Sequence, residues 1–126
     1  MSILSVVEQA YRATLEEQDD TILWLSHMVK NAGADLHILL RSNAVNYAVT
    51  GQDASGLTIG GIPLSVPPKI DSDVQELMQA GVNVYAVRED IQALGIATQD
   101  LLPQVQVIPR REVASLFDRH DSVWYW

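Results

Sequence analysis

The chain of 126 residues contains no cysteine. It therefore has no disulfide, no thiol nucleophile and no thiolate metal site. Basic residues are also scarce, because eight Lys and Arg stand against sixteen Asp and Glu and leave a formal net charge of −8. An acidic surface repels phosphate backbones, so we expect no nucleic-acid partner.

Long apolar runs are missing too. No stretch approaches the roughly 20 apolar residues that a membrane span needs, and the N-terminus has no basic leader followed by an apolar segment and a cleavage site. We therefore expect a cytoplasmic protein that does not bind membranes. Hydrophobic residues nevertheless make up 48% of the chain, which is enough for one core, and we expect a single domain over residues 1–126.

Short apolar runs alternate with segments of helical spacing after residue 18. Strands are predicted at 35–41, 82–87, 104–108 and 122–126, and helices at 19–33, 71–81, 88–95 and 110–120. We expect Ser72 and Gln75 to form a capping box, and Ser42 or Asn43 to cap a helix after the second strand. This alternation predicts an α/β fold with a mostly parallel sheet that is covered on both faces.

Two segments are harder to interpret. Apolar spacing near the N-terminus favours a helix over residues 2–16, although "ILSVV" (residues 3–7) is also typical of a buried strand. Residues 50–69 are rich in Gly and Pro without any sustained period, which predicts a long loop of the kind that is often functional.

With the elements in this order, the chain resembles the DsrE/DsrF/DsrH family, which includes the TusBCD sulfur-relay proteins. "GADLHILLRSNAV" is similar to that family's Gly-x-x-Val strand and its small-residue turn. "LMQAGVNVYAVREDIQALGI" resembles its helix, "GV" strand, short helix and "RG" turn, and "VASLFDRHDSVWYW" resembles its last helix and strand. The resemblance implies a three-layer α/β sandwich with a five-stranded sheet, "ILSVV" as the first strand, and assembly into trimers or hexamers.

The sulfur-carrying members of that family hold a persulfide on a cysteine before the "RG" turn. The resemblance places Val87 at that position, within a residue. Valine has no nucleophilic atom, so persulfide transfer by these 126 residues is chemically excluded. Family members without the cysteine are thought to act as partners. The resemblance therefore implies a non-catalytic protein of sulfur metabolism that pairs with copies of itself or with a cysteine-bearing relative.

Polar side chains follow the first three predicted strands, at the edge where ligands bind to an open parallel sheet. The candidates for ligand binding are Glu17, Asp20, Arg41, Asn43, Asn46, Tyr47, Arg88 and Glu89. In a functional interpretation, Arg41 and Arg88 are charge partners of a small polar or anionic ligand. In a structural interpretation, the two arginines pair with Glu17, Asp20 or Glu89 and order the loops, while Asn43 and Asp90 cap helices.

Other classes of site have little support. The three histidines show no HxH or HxxxH spacing, so we expect no metal site. "GLTIGG" lacks the Gly-Lys-Ser/Thr ending of a phosphate loop, and we expect no cofactor. Two alternatives to a binding protein remain open: an enzyme that acts on a small polar substrate through Arg41, Asn43 and nearby acids, and a purely structural oligomeric subunit. The terminal "VWYW" is expected to pack in the core, with a subunit contact as the alternative.

Overall fold

The computed structural model describes residues 1–11, 20–52 and 54–126. The strands are β1 (Ser2–Val7), β2 (Asp35–Leu40), β3 (Thr58–Ile59), β4 (Ile62–Pro63), β5 (Val84–Val87), β6 (Gln106–Ile108) and β7 (Ser122–Tyr125). The α-helices are α1 (Thr21–Asn31), α2 (Ile70–Gln79), α3 (Arg88–Ala93) and α4 (Val113–Asp118), and 3-10 helices cover Ser42–Ala48, Thr98–Asp100 and Arg110–Glu112. None of the helices in these ranges is both long and apolar enough to cross a membrane.

Five of the strands form one parallel sheet in the order β6-β5-β2-β1-β7. Val7 pairs with Leu40, Leu40 with Ala86, and Val87 with Ile108. The predicted α/β fold with a parallel five-stranded sheet is confirmed. Because every strand runs the same way, all five carboxyl ends lie at one edge of the sheet.

The first strand shows why periodicity alone misjudged the N-terminus. Four of the five β1 residues from Ile3 to Val7 are buried aliphatic side chains, and the fifth, Ser5, is buried as well. A strand that is covered on both faces reads as a continuous apolar run, so its residues also match a helical stripe. The strand implied by the family resemblance is confirmed, and the helical interpretation is wrong over residues 2–7.

Each face of the sheet has its own apolar cluster. Leu36, Ile38 and Leu40 of β2 point to the face that α1, α2, α3 and the first 3-10 helix cover. Leu39 of β2 points to the other face, where it packs with Val113 and Leu116 of α4. At the β7 margin, Trp124 and Trp126 pack against the first cluster, as expected for "VWYW", whereas Tyr125 is half exposed.

The two long helices begin differently from each other. The side chain of Asp20 caps α1 by accepting hydrogen bonds from the N–H groups of Ile22 and Leu23, and Gly33 follows the helix in a left-handed conformation. The capping box predicted for α2 is wrong, because that helix already begins at Ile70 and Lys69 precedes it without a side-chain cap. The buried triad of Ile70, Val74 and Leu77 accounts for the earlier start.

The turn after β2 is a 3-10 helix over Ser42–Ala48, and the predicted caps are wrong. Arg41 occupies the cap position and makes no capping bond, while Ser42 adopts a φ of 52°. Tyr47 and its neighbours Ala44, Val45 and Ala48 are buried, which favours a tight helix against the sheet.

The segment predicted as a loop over residues 50–69 contains a short hairpin. Ile59 pairs with Ile62 across a two-residue turn, in which Gly60 and Gly61 both have positive φ. Such a turn needs positive φ at both central positions, which two glycines supply without strain.

Candidate functional site

The ends of the parallel strands bring together a set of charged residues that we call the carboxyl edge: Glu8, Arg41, Arg88, Glu89, Asp90 and Arg110. Glu8 and Arg41 follow the paired residues Val7 and Leu40, and Arg88 follows Val87, which pairs with Ile108. Neighbouring strands lie about 4.8 Å apart, so residues that follow paired positions are within side-chain reach. Three of the sequence candidates, Arg41, Arg88 and Glu89, therefore lie at this edge, and the contacts of their side chains decide whether they act together.

Arg41 meets Glu8. The Nε atom of Arg41 is 3.6 Å from Oε1 of Glu8, and the same oxygen accepts a hydrogen bond from the hydroxyl of Tyr125. At 3.6 Å the arginine contact is an ion pair without a hydrogen bond. The Nε–H of Arg41 is consequently buried without an acceptor. The structural interpretation named other partners for Arg41, of which Glu17 lies outside the described residues and Asp20 is engaged elsewhere.

Glu89 and Asp90 tie three strand ends together. Oε2 of Glu89 accepts a hydrogen bond from the backbone N–H of Arg110 at 2.6 Å. Asp90 accepts one from the N–H of Ser42 at 2.8 Å and one from the guanidinium of Arg110 at 2.7 Å. Asp90 thus bridges the segments that follow β2 and β6, instead of capping its own helix.

Arg88 contacts Glu89, as the structural interpretation expected. Its Nε lies 3.7 Å from Oε1 of Glu89, which is too far for a hydrogen bond. That carboxylate oxygen is buried and has no hydrogen-bond donor. Half of the Arg88 side chain is exposed, so this guanidinium is accessible to a ligand in solution.

The two asparagine candidates lie on the 3-10 helix after β2. Asn43 is exposed, and the side-chain amide of Asn46 donates to the carbonyl of Asn43 at 2.9 Å. This bond stays within one helical turn. No described contact joins either side-chain amide to Arg41 or Arg88. The two asparagines are therefore close to Arg41 in sequence but do not contact the arginines.

Asp20 and Tyr47 point inward. Asp20 is 2% exposed and Tyr47 has no exposed surface, and the Tyr47 hydroxyl donates a hydrogen bond to Oδ2 of Asp20. The backbone N–H of Tyr11 donates to that hydroxyl in turn. Burial, and then the hydrogen bond to Asp20, raise the pKa of Tyr47 far above its usual range. These two candidates satisfy each other inside the protein.

Gln52 extends this network to the base of the hairpin. It accepts a hydrogen bond from the Tyr11 hydroxyl and donates to the carbonyls of Asn46 and Val49 at 2.7 and 2.8 Å. Burial raises the pKa of Tyr11 as well. The contacts connect the segment after β1 with the 3-10 helix and with the start of the long Gly- and Pro-rich stretch.

Val87, which the family resemblance placed at the cysteine position, has no exposed surface and belongs to the same cluster as Leu4 and Leu39. A thiol at this position would be closed off from a protein partner. The next residue, Arg88, is the accessible one.

Sequence reasoning missed Glu8, Arg110 and Tyr125. Glu8 follows a strand that periodicity alone assigned to a helix, and Arg110 was placed inside a predicted helix. The rule that functional residues follow strand ends would have selected both, once β1 and β6 were delimited. No sequence pattern except the aromatic residues beside it pointed to Tyr125.

Three clefts of the described residues lie away from the carboxyl edge. Three clefts of 330–390 Å³ are lined by residues of α1, α2, α4 and the β5 amino end, and none of the three includes a residue of the carboxyl edge. The residues that the structure describes hold no group of three or more His, Asp or Glu side chains suited to a metal ion.

Solved structures share this architecture. The YchN protein from E. coli matches with a TM-score of 0.71 at 20% identity, over 99% of this chain and 97% of that one. A conserved protein of unknown function from Bacteroides thetaiotaomicron matches with a TM-score of 0.69 at 12% identity, over 99% and 94%. A protein of unknown function from Methanobacterium thermoautotrophicum matches with a TM-score of 0.62 at 20% identity, over 98% and 97%.

The chain has a DsrE-like fold. No family model matches the sequence, and no curated protein matches it either. At 12–20% identity the structural likeness concerns the fold alone.

Proposed function

We propose that this chain is a non-catalytic protein of intracellular sulfur metabolism or sulfur relay that binds an anion at the carboxyl edge. The anion is a small sulfur oxyanion or the persulfide of a cysteine-bearing partner. Arg41 and Arg88 supply the positive charge. Copies of the chain assemble into a homo-oligomer in this proposal, as the family resemblance implies.

The observation that carries the proposal is an unsatisfied donor at this edge, the Nε–H of Arg41. Arg41 Nε and Glu89 Oε1 are buried without hydrogen-bond partners, and no other buried side-chain atom is left so in the described ranges. Buried polar groups are nearly always paired, and an exception calls for a missing partner such as water or a ligand. The Arg41 atom is a donor with charge, which suits an anionic acceptor.

The DsrE-like fold and the absence of thiols support the non-catalytic part of the proposal. A chain without cysteine cannot carry a persulfide itself, whereas a guanidinium can bind one that a partner presents. The half-exposed Arg88 lies next to the position where relatives carry their cysteine. An anion held there would occupy the place of the missing sulfur.

A second candidate function is a structural subunit without a ligand. It is favoured by the hydrogen bonds that Glu89 and Asp90 accept from Arg110 and Ser42, which satisfy Asp90, Arg110 and one oxygen of Glu89 within the chain. In this case the carboxyl edge only orders the loops that follow β2, β5 and β6.

Calorimetric titration separates the two candidates. Thiosulfate would be added to the wild-type protein, to Arg88→Ala and to Arg119→Ala, which removes an exposed arginine at the C-terminal end of α4. We expect binding by the wild type and Arg119→Ala, and at least about tenfold weaker binding by Arg88→Ala, because a charged hydrogen bond contributes roughly 1.5–3 kcal/mol. A cysteine-bearing DsrE-family protein loaded with persulfide is the second titrant.

The outcomes distinguish the sources of the anion. Binding of the loaded partner but not of thiosulfate would assign the site to a protein persulfide. Binding of neither would leave the structural subunit as the better account. Equal losses in Arg88→Ala and Arg119→Ala would show that general charge, and not the carboxyl edge, attracts the anion.

A further inference from the structure

A cleft of about 330 Å³ lies between α1 and α2. Leu23 of α1 and Leu77 of α2 line it and are buried, so the floor of the cleft is apolar. Trp24 and Met28 line the α1 wall, where they are 52% and 40% exposed, and His27 lies between them in sequence. The volume is at the lower end of the range for small-molecule sites, which is about 300–1,000 Å³.

The opposite wall of the cleft carries a negative charge. Asp73 and Glu76 of α2 line this wall. Asp73 already has another partner. The Glu76 side chain is exposed and makes no ion pair or hydrogen bond with any residue that the structure describes. No Lys or Arg is among the described residues that line the cleft, so the charge of Glu76 is open to a ligand.

The indole ring of Trp24 is the second unengaged group of the cleft. In the part of the chain that the structure describes, it packs on no other aromatic ring, and its N–H has no acceptor. Trp124 and Trp126, by contrast, pack against the core. The face of an indole attracts cations through its quadrupole, more strongly than that of any other aromatic side chain. Trp24 and Glu76 therefore favour the same sign of charge from opposite walls of one cleft.

The chemistry of the walls and of the floor selects the occupant. Glu76 would repel an anion, and an inorganic cation would make no use of the apolar floor. A neutral apolar molecule would leave the carboxylate and the indole face without a partner. We infer that the α1–α2 cleft binds a small organic ammonium ion, with its charged group between Trp24 and Glu76 and its apolar part on the floor.

This site is separate from the carboxyl edge. The two share no residue, and they prefer ligands of opposite charge. The net charge of −8 draws cations towards the protein as a whole. A test of the ammonium site must therefore distinguish the cleft from this general attraction, and its result does not depend on the proposed anion site.

Nuclear magnetic resonance with choline as the probe tests the inference on the full-length protein. The chain has three tryptophans, so the indole N–H signals of Trp124 and Trp126 are internal references for that of Trp24. Trp24→Leu assigns the Trp24 signal by removing it. The titration is run at about pH 8, where histidine side chains are generally neutral. We expect the Trp24 signal to shift and to saturate as choline is added.

The uncharged carbon analogue of choline is the matched control ligand. In this alcohol a tert-butyl group replaces the trimethylammonium group, so the shape is kept and the charge is lost. We expect it to bind at least about tenfold more weakly than choline, because it gains neither the attraction to the indole face nor that to the carboxylate. Equal binding of the two ligands would assign the cleft to apolar molecules and overturn the inference.

Two isosteric variants separate the cleft from the net charge. Glu76→Gln removes the open carboxylate, and Glu112→Gln removes an exposed acid that does not line the cleft. We expect Glu76→Gln to weaken choline binding at least about threefold and Glu112→Gln to leave it unchanged. Calorimetry of Trp24→Leu should show a similar threefold loss, since leucine keeps an apolar contact without the aromatic face. Circular dichroism checks that each variant is folded.

Three further results would contradict the site. Equal losses in Glu76→Gln and Glu112→Gln would show that only the net charge attracts choline. A shift of the Trp124 or Trp126 signal without one of Trp24 would place the bound cation elsewhere. A Trp24 signal that does not saturate by about 50 mM choline would show that the cleft holds no ammonium ion.

Discussion

The buried hydroxyl of Tyr47 donates a hydrogen bond to Asp20, whose other carboxylate oxygen caps α1. One side chain thus serves two elements that are far apart in sequence. It fixes the start of α1 and satisfies the phenol of the 3-10 helix beneath the sheet edge. The stability of this corner should depend on that single carboxylate.

Replacing Asp20 by alanine tests this dependence. The variant loses the helix cap and leaves the Tyr47 hydroxyl without its acceptor, so we expect the free energy of unfolding to fall by about 2–4 kcal/mol. Urea denaturation measures the change. Asp118→Ala, which removes an exposed acid from α4, should change it by less than about 0.5 kcal/mol. Asp20→Asn should recover most of the loss, and a fall below about 1 kcal/mol in Asp20→Ala would contradict this role.

The burial of Tyr47 should make the stability of the protein depend on pH in the alkaline range. Its pKa in the folded chain is raised above the ordinary value of 10.0, chiefly by burial. The contribution of Tyr47 to the free energy of unfolding is therefore constant below pH 10. It is lost at higher pH, where the unfolded chain releases the phenol proton and the folded chain keeps it. Above pH 10 the free energy of unfolding of Tyr47→Phe should fall less steeply with pH than that of the wild type. The two slopes should differ by up to about 1.4 kcal/mol per pH unit. Urea denaturation series at several alkaline pH values measure both slopes, and equal slopes would contradict the assignment.

Ser42 should tolerate glycine but not valine. Its φ of 52° lies in the left-handed region, which β-branched residues avoid, and its N–H binds Asp90. We expect Ser42→Val to lower the free energy of unfolding by about 1–2 kcal/mol, and Ser42→Gly to stay within about 0.5 kcal/mol of the wild type. Thermal unfolding compares the two, and an unaffected Ser42→Val would show that this backbone conformation is not required.

Single cysteines test which position at the end of β5 is accessible to solvent. The chain has no other thiol, so a soluble aromatic disulfide reagent reports one site in each variant. We expect the thiol of Arg88→Cys to react in the folded protein, and that of Val87→Cys to react only after unfolding, because Val87 is fully buried. Comparable rates for the two variants in native buffer would show that the end of β5 opens readily.

Much of the fold could be predicted from short apolar runs and from the residues that bound them. The position of the helix that ends before Gly33 could be predicted, because helical spacing and a following glycine are local in sequence. Strand β1 could not be predicted from periodicity, since a strand that is buried on both faces shows no alternation of apolar and polar residues. The Ser72 capping box failed because the buried Ile70 extends α2 backwards, which is a tertiary effect.

The candidate site was predictable only in part. Arg41 and Arg88 were selected because they follow buried strands, a rule that needs only strand ends. The pairing of Tyr47 with Asp20 joins residues 27 positions apart, and no sequence pattern announces such a contact. The same holds for Asp90, whose partners Ser42 and Arg110 come from two other strand ends.

A native mass spectrum of the freshly purified wild type, beside Arg41→Ala/Arg88→Ala, tests the anion site most directly. It reports the mass of the assembly and of any small molecule retained from the cell. We expect an oligomer in which the wild type carries a discrete added mass that the double variant lacks. The same mass on both proteins, or a bare wild type that binds neither thiosulfate nor a persulfide-loaded partner, would contradict an anion site at the carboxyl edge.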